Sequence, residues 1–449
     1  MKVSIFFKVL CVVSLIFLAG CTQGSAGTTV EDSVSLSMES ETKVDETEKF
    51  NNDVDNNSEE NGDNALKMLV NWKGLFYNPM VCSPYGCYEI MNRTDYTGNI
   101  LYTDVVTRQR IFLSPDLSAD HNNSSDPSWI DNTLGGCFLF TMDDTLFMSR
   151  YNYEDTPGEL YCMDLDGRNR QSLVTFTDYN APEGGIASDG QNLYMVLYKQ
   201  DKQWLVRVHI DSGKIEPLKE MGGDAAFLTS AYGDTLVLKE IRAENTDSED
   251  QMESYLSQIH TVYHYNITDG IETEILSWQQ DKLLEEYSGE YLYLLDVDKE
   301  SLKEVSLSTG EERMVIDALS AESINAEEIR SLYPIYDNHL IFDMGNDEGE
   351  LKKMSVNLDN GRIFSIDPYT ESLDAYGSQY LGIVGEFGDE FLVTSGTLEV
   401  PMDGIDPDGN PMVVDMVMSK LSVIKKEDFW NNRFDAMEPV EDVFLESMD

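Results

Sequence analysis

The chain has 449 residues, 41% hydrophobic and 10% aromatic, with 83 acidic side chains against 31 basic and a formal charge of −52. Such a surface repels phosphate, which excludes a nucleic-acid partner, and it excludes docking on anionic lipid by charge. The length fits one large domain or two smaller ones, and the apolar fraction is ample for a large core.

The N-terminus is weakly basic at Lys2 and Lys8, and residues 9–18 form an apolar run that is short for a membrane span. Leu18, Ala19, Gly20 and Cys21 follow, small residues ahead of a cysteine. This stretch resembles the lipobox of bacterial lipoproteins. The resemblance implies that residues 1–20 are a signal segment that is removed. It also implies that Cys21 carries the lipid, palmitate included, and that the protein is held on the extracytoplasmic side of the cell membrane. Two acyl chains hold a protein on a membrane where one does not. The alternative is an ordinary secretory signal with a chance cysteine.

Residues 21–65 are rich in Ser, Thr, Glu, Asp and Asn, and residues 51–64 read NNDVDNNSEENGDN. A segment with so little to bury does not offset its ordering entropy, which predicts a disordered acidic and polar tether.

From Leu66 onward the pattern changes to short strands. Residues 189–218 show it best: an Asp-Gly turn, a Leu/Tyr/Met/Val run, a polar turn, a second Val-rich run, and the turn Asp211-Ser212-Gly213-Lys214. The strand–turn–strand half of this unit recurs at residues 99–113, 159–174, 204–218, 261–276, 301–316 and 351–366. A degenerate seventh copy, residues 417–432, lacks the turn glycine. Gly167, Gly213, Gly270, Gly310 and Gly361 hold the same place in five copies, which predicts a tight turn with a positive backbone angle.

Each copy is preceded by a hairpin, at residues 137–152, 185–198, 226–241, 283–297, 332–344 and 380–396, with a looser one at 75–91. Four strands per unit predict an all-β chain, a β-propeller over residues 66–449 with seven four-stranded blades. Six or eight blades stay open at this stage, and a β-helix or a pair of sandwiches is the rival architecture. An open ring exposes strand edges. Lys67–Trp72 is therefore the candidate N-terminal strand to close the last blade, beside residues 418–424.

Tyr161-Cys162-Met163-Asp164-Leu165-Asp166-Gly167 and Leu101-Tyr102-Thr103-Asp104 resemble the Tyr-Trp-Thr-Asp blades of low-density-lipoprotein-receptor-like propellers, without their Trp. Those propellers have six blades, where seven units are counted here. The chain as a whole is similar to propeller lipoproteins of Gram-positive bacteria and to TolB-like propellers. The resemblance implies a binding or scaffold role and carries over no catalytic residue.

Three insertions are where function is expected: residues 114–132 with His121, 244–257, and 400–412. Asp164-x-Asp166-Gly167 and Asp406–Asn410 open like a calcium loop but lack the closing Glu at a helix start, so they read as ordinary turns. Asp296, Asp298 and Glu300 alternate, which places them on one face of a strand. His260 and His264 share a strand face, but zinc would require further ligands that the sequence does not supply. No nucleophile elbow, zinc-protease or phosphate-loop motif is present. The expectation is therefore no catalytic residue, no metal and no cofactor. Cys82 and Cys87 flank a turn and form the candidate disulfide. Cys137 and Cys162 fall on non-adjacent strands and read as small buried residues. Strand tyrosines read as core, with an aromatic platform at a channel mouth as the other reading.

Three function classes follow. The first is a lipid-anchored monomer whose propeller binds a protein, peptide or glycan partner. The second is an extracellular hydrolase or lyase on a glycan or peptide. The third is a structural envelope-maintenance module.

Overall fold

The computed structural model describes residues 65–71, 73, 80–114, 120–182, 184–244, 251–345, 351–371, 378–405 and 410–448. Leu18, Ala19, Gly20, Cys21 and residues 22–64 lie outside the described residues, as do Trp72 and residues 406–409.

Seven antiparallel sheets follow one another in chain order, each with four strands of its own; Lys67–Val70 adds a fifth strand to the third, and a two-stranded pair, Thr370–Glu371 with Ser378–Gln379, lies in sequence between the sixth and the seventh. Blade 1 is Val81–Ser83, Gly86–Asn92, Gly98–Asp104 and Gln109–Phe112. Blade 2 is Cys137–Met142, Thr145–Arg150, Gly158–Asp164 and Gln171–Phe176. Blade 3 is Ile186–Ser188, Asn192–Lys199, Lys202–His209 and Ile215–Glu220. Blade 4 is Ala225–Tyr232, Thr235–Ala243, Gln258–Asn266 and Glu272–Gln279. Blade 5 is Leu283–Ser288, Tyr291–Asp296, Ser301–Ser306 and Glu312–Ile316. Blade 6 is Ile329–Leu332, His339–Gly345, Leu351–Asn357 and Ile363–Ile366. Blade 7 is Gly382–Phe387, Glu390–Ile405, Pro411–Lys425 and Glu438–Pro439. First strands of successive blades pack together around a central channel. The fold is a seven-bladed β-propeller.

Alternation along a strand explains why both faces are apolar. In blade 3, Leu193, Met195 and Leu197 join Phe140 and Phe147 of blade 2, while Tyr194 on the other face joins Leu228 and Leu236 of blade 4. A strand sandwiched between two neighbours buries every residue, so it reads as a continuous apolar run. All five repeat glycines have positive φ, from +64° at Gly213 to +80° at Gly167.

Strand direction gives the ring two unlike faces. In most blades the first-to-second and third-to-fourth connections are tight turns on one face, such as Gly233-Asp234 and Gly289-Glu290. The opposite face carries the long connections, including residues 244–257 and 317–328. Two 3₁₀ turns, Leu319–Glu322 and Ala326–Glu328, lie in the latter.

The chain termini depart from the expected closure. Lys67–Val70 does not pair beside residues 418–424. It pairs antiparallel with Ile186–Ser188, the innermost strand of blade 3, and packs against the innermost strands of blades 2 and 4. It therefore lies in the channel. Blade 7 already holds four strands of its own, so no strand position is vacant there. The inner strand of blade 3 has a free edge, and the small residues Ala187, Ala226 and Ala231 leave room for Leu66 and Met68.

The seventh unit also differs from its expected pattern. Residues 417–425 end a long third strand, a short helix Lys426–Trp430 follows, and the outer strand is Glu438–Pro439. No tight turn joins the last two strands, which is why the glycine is missing. Residues 400–405 and 411–412 are likewise not loop but the ends of a 16- and a 15-residue strand. Val400 and Met402 lie buried there against Met91, Leu101, Phe112 and Phe444. Asp298 and Glu300 do not share a strand face with Asp296. The strand stops at Asp296, whose carboxylate accepts from the Lys299 backbone N–H and turns the chain.

Ring closure rests on the C-terminal tail. Arg110 N–H donates to Glu441 O and Glu441 N–H to Arg108 O, both at 2.8 Å, so the tail lies beside the outer strand of blade 1. Among the described residues no helix is long and apolar enough to cross a membrane.

Candidate functional site

The candidate site is a cleft of about 200 Å³ where blades 4, 5 and 6 meet on the long-loop face. It is built from charges set inside apolar strands. Lys239 follows Leu236-Val237-Leu238 in blade 4, and Glu285-Glu286 follows Leu283-Leu284 in blade 5. Lys239 is 3% exposed and Glu286 0%. Buried charges at these levels must be paired. Lys239 is paired with Glu285 across the joint between blades. Lys73, just beyond the channel strand, donates to Glu286 Oε2 at 2.9 Å and also to the Glu285 carbonyl.

Burial pushes the Glu285 carboxyl up, but Lys239 and Lys73 outweigh it and hold it below the usual range. Burial raises Glu286, with Lys73 opposing. Burial lowers Lys239, with Glu285 opposing.

His260, on the third strand of blade 4, also lines the cleft. Its ring stacks on Trp278 at 5.4 Å between centroids, and Lys239 lies 5.5 Å from the same indole. Burial, helped by Lys239, holds its pKa down to about 4, so the imidazole is neutral at neutral pH. Its Nε2 meets Gln280 Oε1. The Gln280 amide nitrogen faces Asp281 Oδ1 at 2.9 Å and the Tyr255 hydroxyl at 2.5 Å. A carboxylate only accepts, so the amide orientation is fixed, Nε2 carries the hydrogen, and Nδ1 keeps its lone pair. Nδ1 is buried with no hydrogen-bond partner among the described residues. Tyr255 belongs to the 244–257 insertion, which thereby reaches the cleft.

The other expected sites lie apart from it. His121 Nδ1 meets Asp126 Oδ2 at 2.9 Å, Ser114 Oγ donates to the same oxygen at 2.9 Å, and the imidazole stacks on Phe112 at 4.4 Å. His121 is 1% exposed, so this network is a strut under the 114–132 loop. His264 contacts the Tyr232 hydroxyl at 3.0 Å and not a shared site with His260. Among the described residues no group of three His, Cys, Asp or Glu is placed to hold a metal ion. Cys82 and Cys87 are direct cross-strand partners joined in a disulfide, and Cys137 and Cys162 are free and half-buried. A second cleft of about 220 Å³, lined by Tyr369, Tyr380, Thr394 and Ser395, carries no charged side chain.

Sequence reasoning considered His260 only as half of a metal pair and passed over Lys73, Lys239, Glu285, Glu286 and Arg330. The available signal was a charge inside an apolar strand run, as at Lys239 and Glu285.

No family model and no curated protein matches the sequence. Among solved structures the chain is similar to a puromycin hydrolase S511A mutant complexed with PGG (9% identity, 81% of this chain, 53% of that one, TM-score 0.46). It is similar to TolB from Acinetobacter baumannii (10%, 71% and 66%, 0.33). It is also similar to the β-propeller domain of the Trilobed protease from Pyrococcus furiosus, which has an open velcro topology (11%, 84% and 98%, 0.43). The chain spans about half the length of the puromycin hydrolase it matches.

Proposed function

We propose that the protein is a membrane-anchored extracytoplasmic lipoprotein whose propeller binds a protein, peptide or glycan partner on its long-loop face, without catalysis. The path of the N-terminal strand carries this reading. Leu66 N–H donates to Gly233 O on the tight-turn face, and Lys73 meets Glu286 at the opposite end. The chain therefore enters the propeller at its tight-turn face, opposite the long-loop face. That face bears the insertions and the charged cleft. The Cys82–Cys87 bridge suits an oxidising compartment.

The alternative is a hydrolase or lyase acting at the same cleft. Glu285 and Glu286 are each paired with a lysine, and Glu286 is fully buried, away from any substrate in the cleft. They are also neighbours on one strand, whereas a glycosidase sets its carboxyls across the scissile bond. Binding is the better fit.

Wild-type protein should take up labelled fatty acid and pellet with membranes, and Cys21→Ala should move to the supernatant. A mutant that still pellets, with an unlabelled wild type, removes the anchor from the reading. A partner retained by the propeller should be lost by substitutions on the long-loop face and kept by substitutions on the tight-turn face.

A further inference from the structure

The cleft between blades 4, 5 and 6 has a charge balance opposite to that of the chain around it. Lys73, Lys239 and Arg330 face Glu285 and Glu286, a surplus of one positive charge in a molecule with 31 basic and 83 acidic residues. Two of the three cations are engaged by the two carboxylates. Arg330 is exposed and donates to the backbone carbonyls of Glu327 and Gly345, at 3.3 and 3.1 Å, and makes no ion pair with the described residues. A guanidinium with remaining donors at the edge of a cleft is matched by a carboxylate fork.

A second feature of the cleft points to a ligand. A buried acceptor left without a donor is destabilising, and the His260 Nδ1 lone pair beside the cleft is one. A hydroxyl on the bound molecule would satisfy it. The cleft is below the roughly 300 Å³ floor of drug-sized sites, so it suits one small head group.

We propose that this cleft binds a hydroxy-carboxylate, its carboxylate on Arg330 and the surplus positive charge, its hydroxyl on His260. The inference rests on the proposed binding role and names the ligand class of that same face. A monoanion neutralises the surplus, whereas a phosphate dianion overshoots it beside Glu285. The same chemistry is offered by a free sugar acid and by a uronate unit within a glycan.

The test is calorimetric titration of the full chain with D-glucuronate, a glucuronate-bearing oligosaccharide, acetate, D-glucose and inorganic phosphate. Glucuronate should saturate at or below the ~mM range, with glucose silent and acetate weaker. Arg330→Gln, an exposed change that leaves the buried pairs intact, should weaken glucuronate by about tenfold or more. His260→Phe, which keeps an aromatic ring against Trp278, should erase the advantage of glucuronate over acetate. Tighter binding of the oligosaccharide supports a glycan source, and equal binding supports the free acid. No glucuronate binding, an unchanged Arg330→Gln affinity, or phosphate binding as tightly as glucuronate overturns the proposal. If glucuronate fails while a partner is still captured on the long-loop face, the ligand class falls and the binding role stands.

Discussion

The joint between blades 2 and 3 and the seam between blades 7 and 1 hold neighbouring blades together by different means. At the first, Met195, Val206 and Val208 pack on Phe140, Phe147 and Val174, and the Gly213 turn presses against the outer strand of blade 2. The seam has its apolar contacts too, Leu392, Leu421 and Val423 against Cys87 and Val105. It adds a fully buried Arg110 that donates to Glu89 Oε1 at 2.8 Å, Asp442 Oδ1 at 2.7 Å and Ser419 O at 3.0 Å. Its guanidinium also lies 5.2 Å from the Phe444 ring centroid. Blades 2 and 3, consecutive in sequence, are held by complementary shape, with chain connectivity keeping them close. The seam joins residues as far apart as Arg110 and Asp442, 332 positions, and uses directional bonds that fit one arrangement of the two ends.

Breaking that seam should produce the largest effect. Arg110→Met leaves Glu89 and Asp442 facing a buried apolar side chain, at a cost of about 3–5 kcal/mol. Burial already pushes Glu89 upward against the pull of Arg110, so its carboxyl would take up a proton more readily in the variant. Urea unfolding should show the midpoint falling, and Arg110→Met with Glu89→Gln should recover part of the loss. A loss below about 1 kcal/mol would mean that the seam is held like any other joint.

The channel strand is a third kind of contact, made from inside the ring. Leu66 is 3% exposed in the cluster with Ala226, Leu228 and Ala231. Leu66→Ala should cost about 2–3 kcal/mol, and deletion of residues 22–64 should cost close to nothing. Thermal melts of the two variants compare them directly. A wild-type melt for Leu66→Ala would remove the strand from the channel.

The architecture was legible because each blade repeats the same alternation and five of the seven repeat the same turn glycine. Period and punctuation are local signals, and they located the second and third strands in blades 1 to 6 but only part of them in blade 7. The termini were misread because strand propensity in Lys67–Val70 says nothing about which sheet edge receives it. A free edge inside the channel and one on the rim look alike from sequence. The same holds for Glu438–Pro439, only two residues long. The cleft was partly legible: Lys239 and Glu285 break apolar runs, which marks them as paired, but their pairing partners lie in different blades. Arg330 and Lys73 carried no signal, because exposed and loop-borne cations are common.

The joint between blades 4 and 5 lies between the two extremes, with an apolar cluster that includes Val237, Val262, Leu292 and Leu294 but also holding Lys239, Glu285 and His260. Its response to pH should separate it from the purely apolar joints. Because His260 titrates near 4 in the fold, below its ordinary 6.5, the unfolded chain takes up this proton first as pH falls. The stability from neutral His260 is complete above about 6.5, declines between 6.5 and 4, and changes no further below that. Wild type should therefore lose more melting temperature across this window than His260→Phe. Parallel curves would show that the imidazole is not buried beside Lys239.

The smallest effects should separate one ordinary joint from another. Gly213 and Gly310 occupy the same place in blades 3 and 5, at φ +64° and +74°. Alanine pays about 1–2 kcal/mol for the left-handed backbone at either position. At Gly310 a Cβ meets nothing within 4 Å, so that cost should be the whole effect. At Gly213 a Cβ would lie 1.9 Å from the Leu173 carbonyl oxygen, a backbone atom of blade 2 that yields only if the blades separate. Gly213→Ala should therefore cost more than Gly310→Ala by about 1 kcal/mol or more. Urea midpoints of the two variants, read at equal m-values, give the difference. Equal losses would mean that the blade 3 turn does not press on blade 2, and that this joint is held by side-chain packing alone.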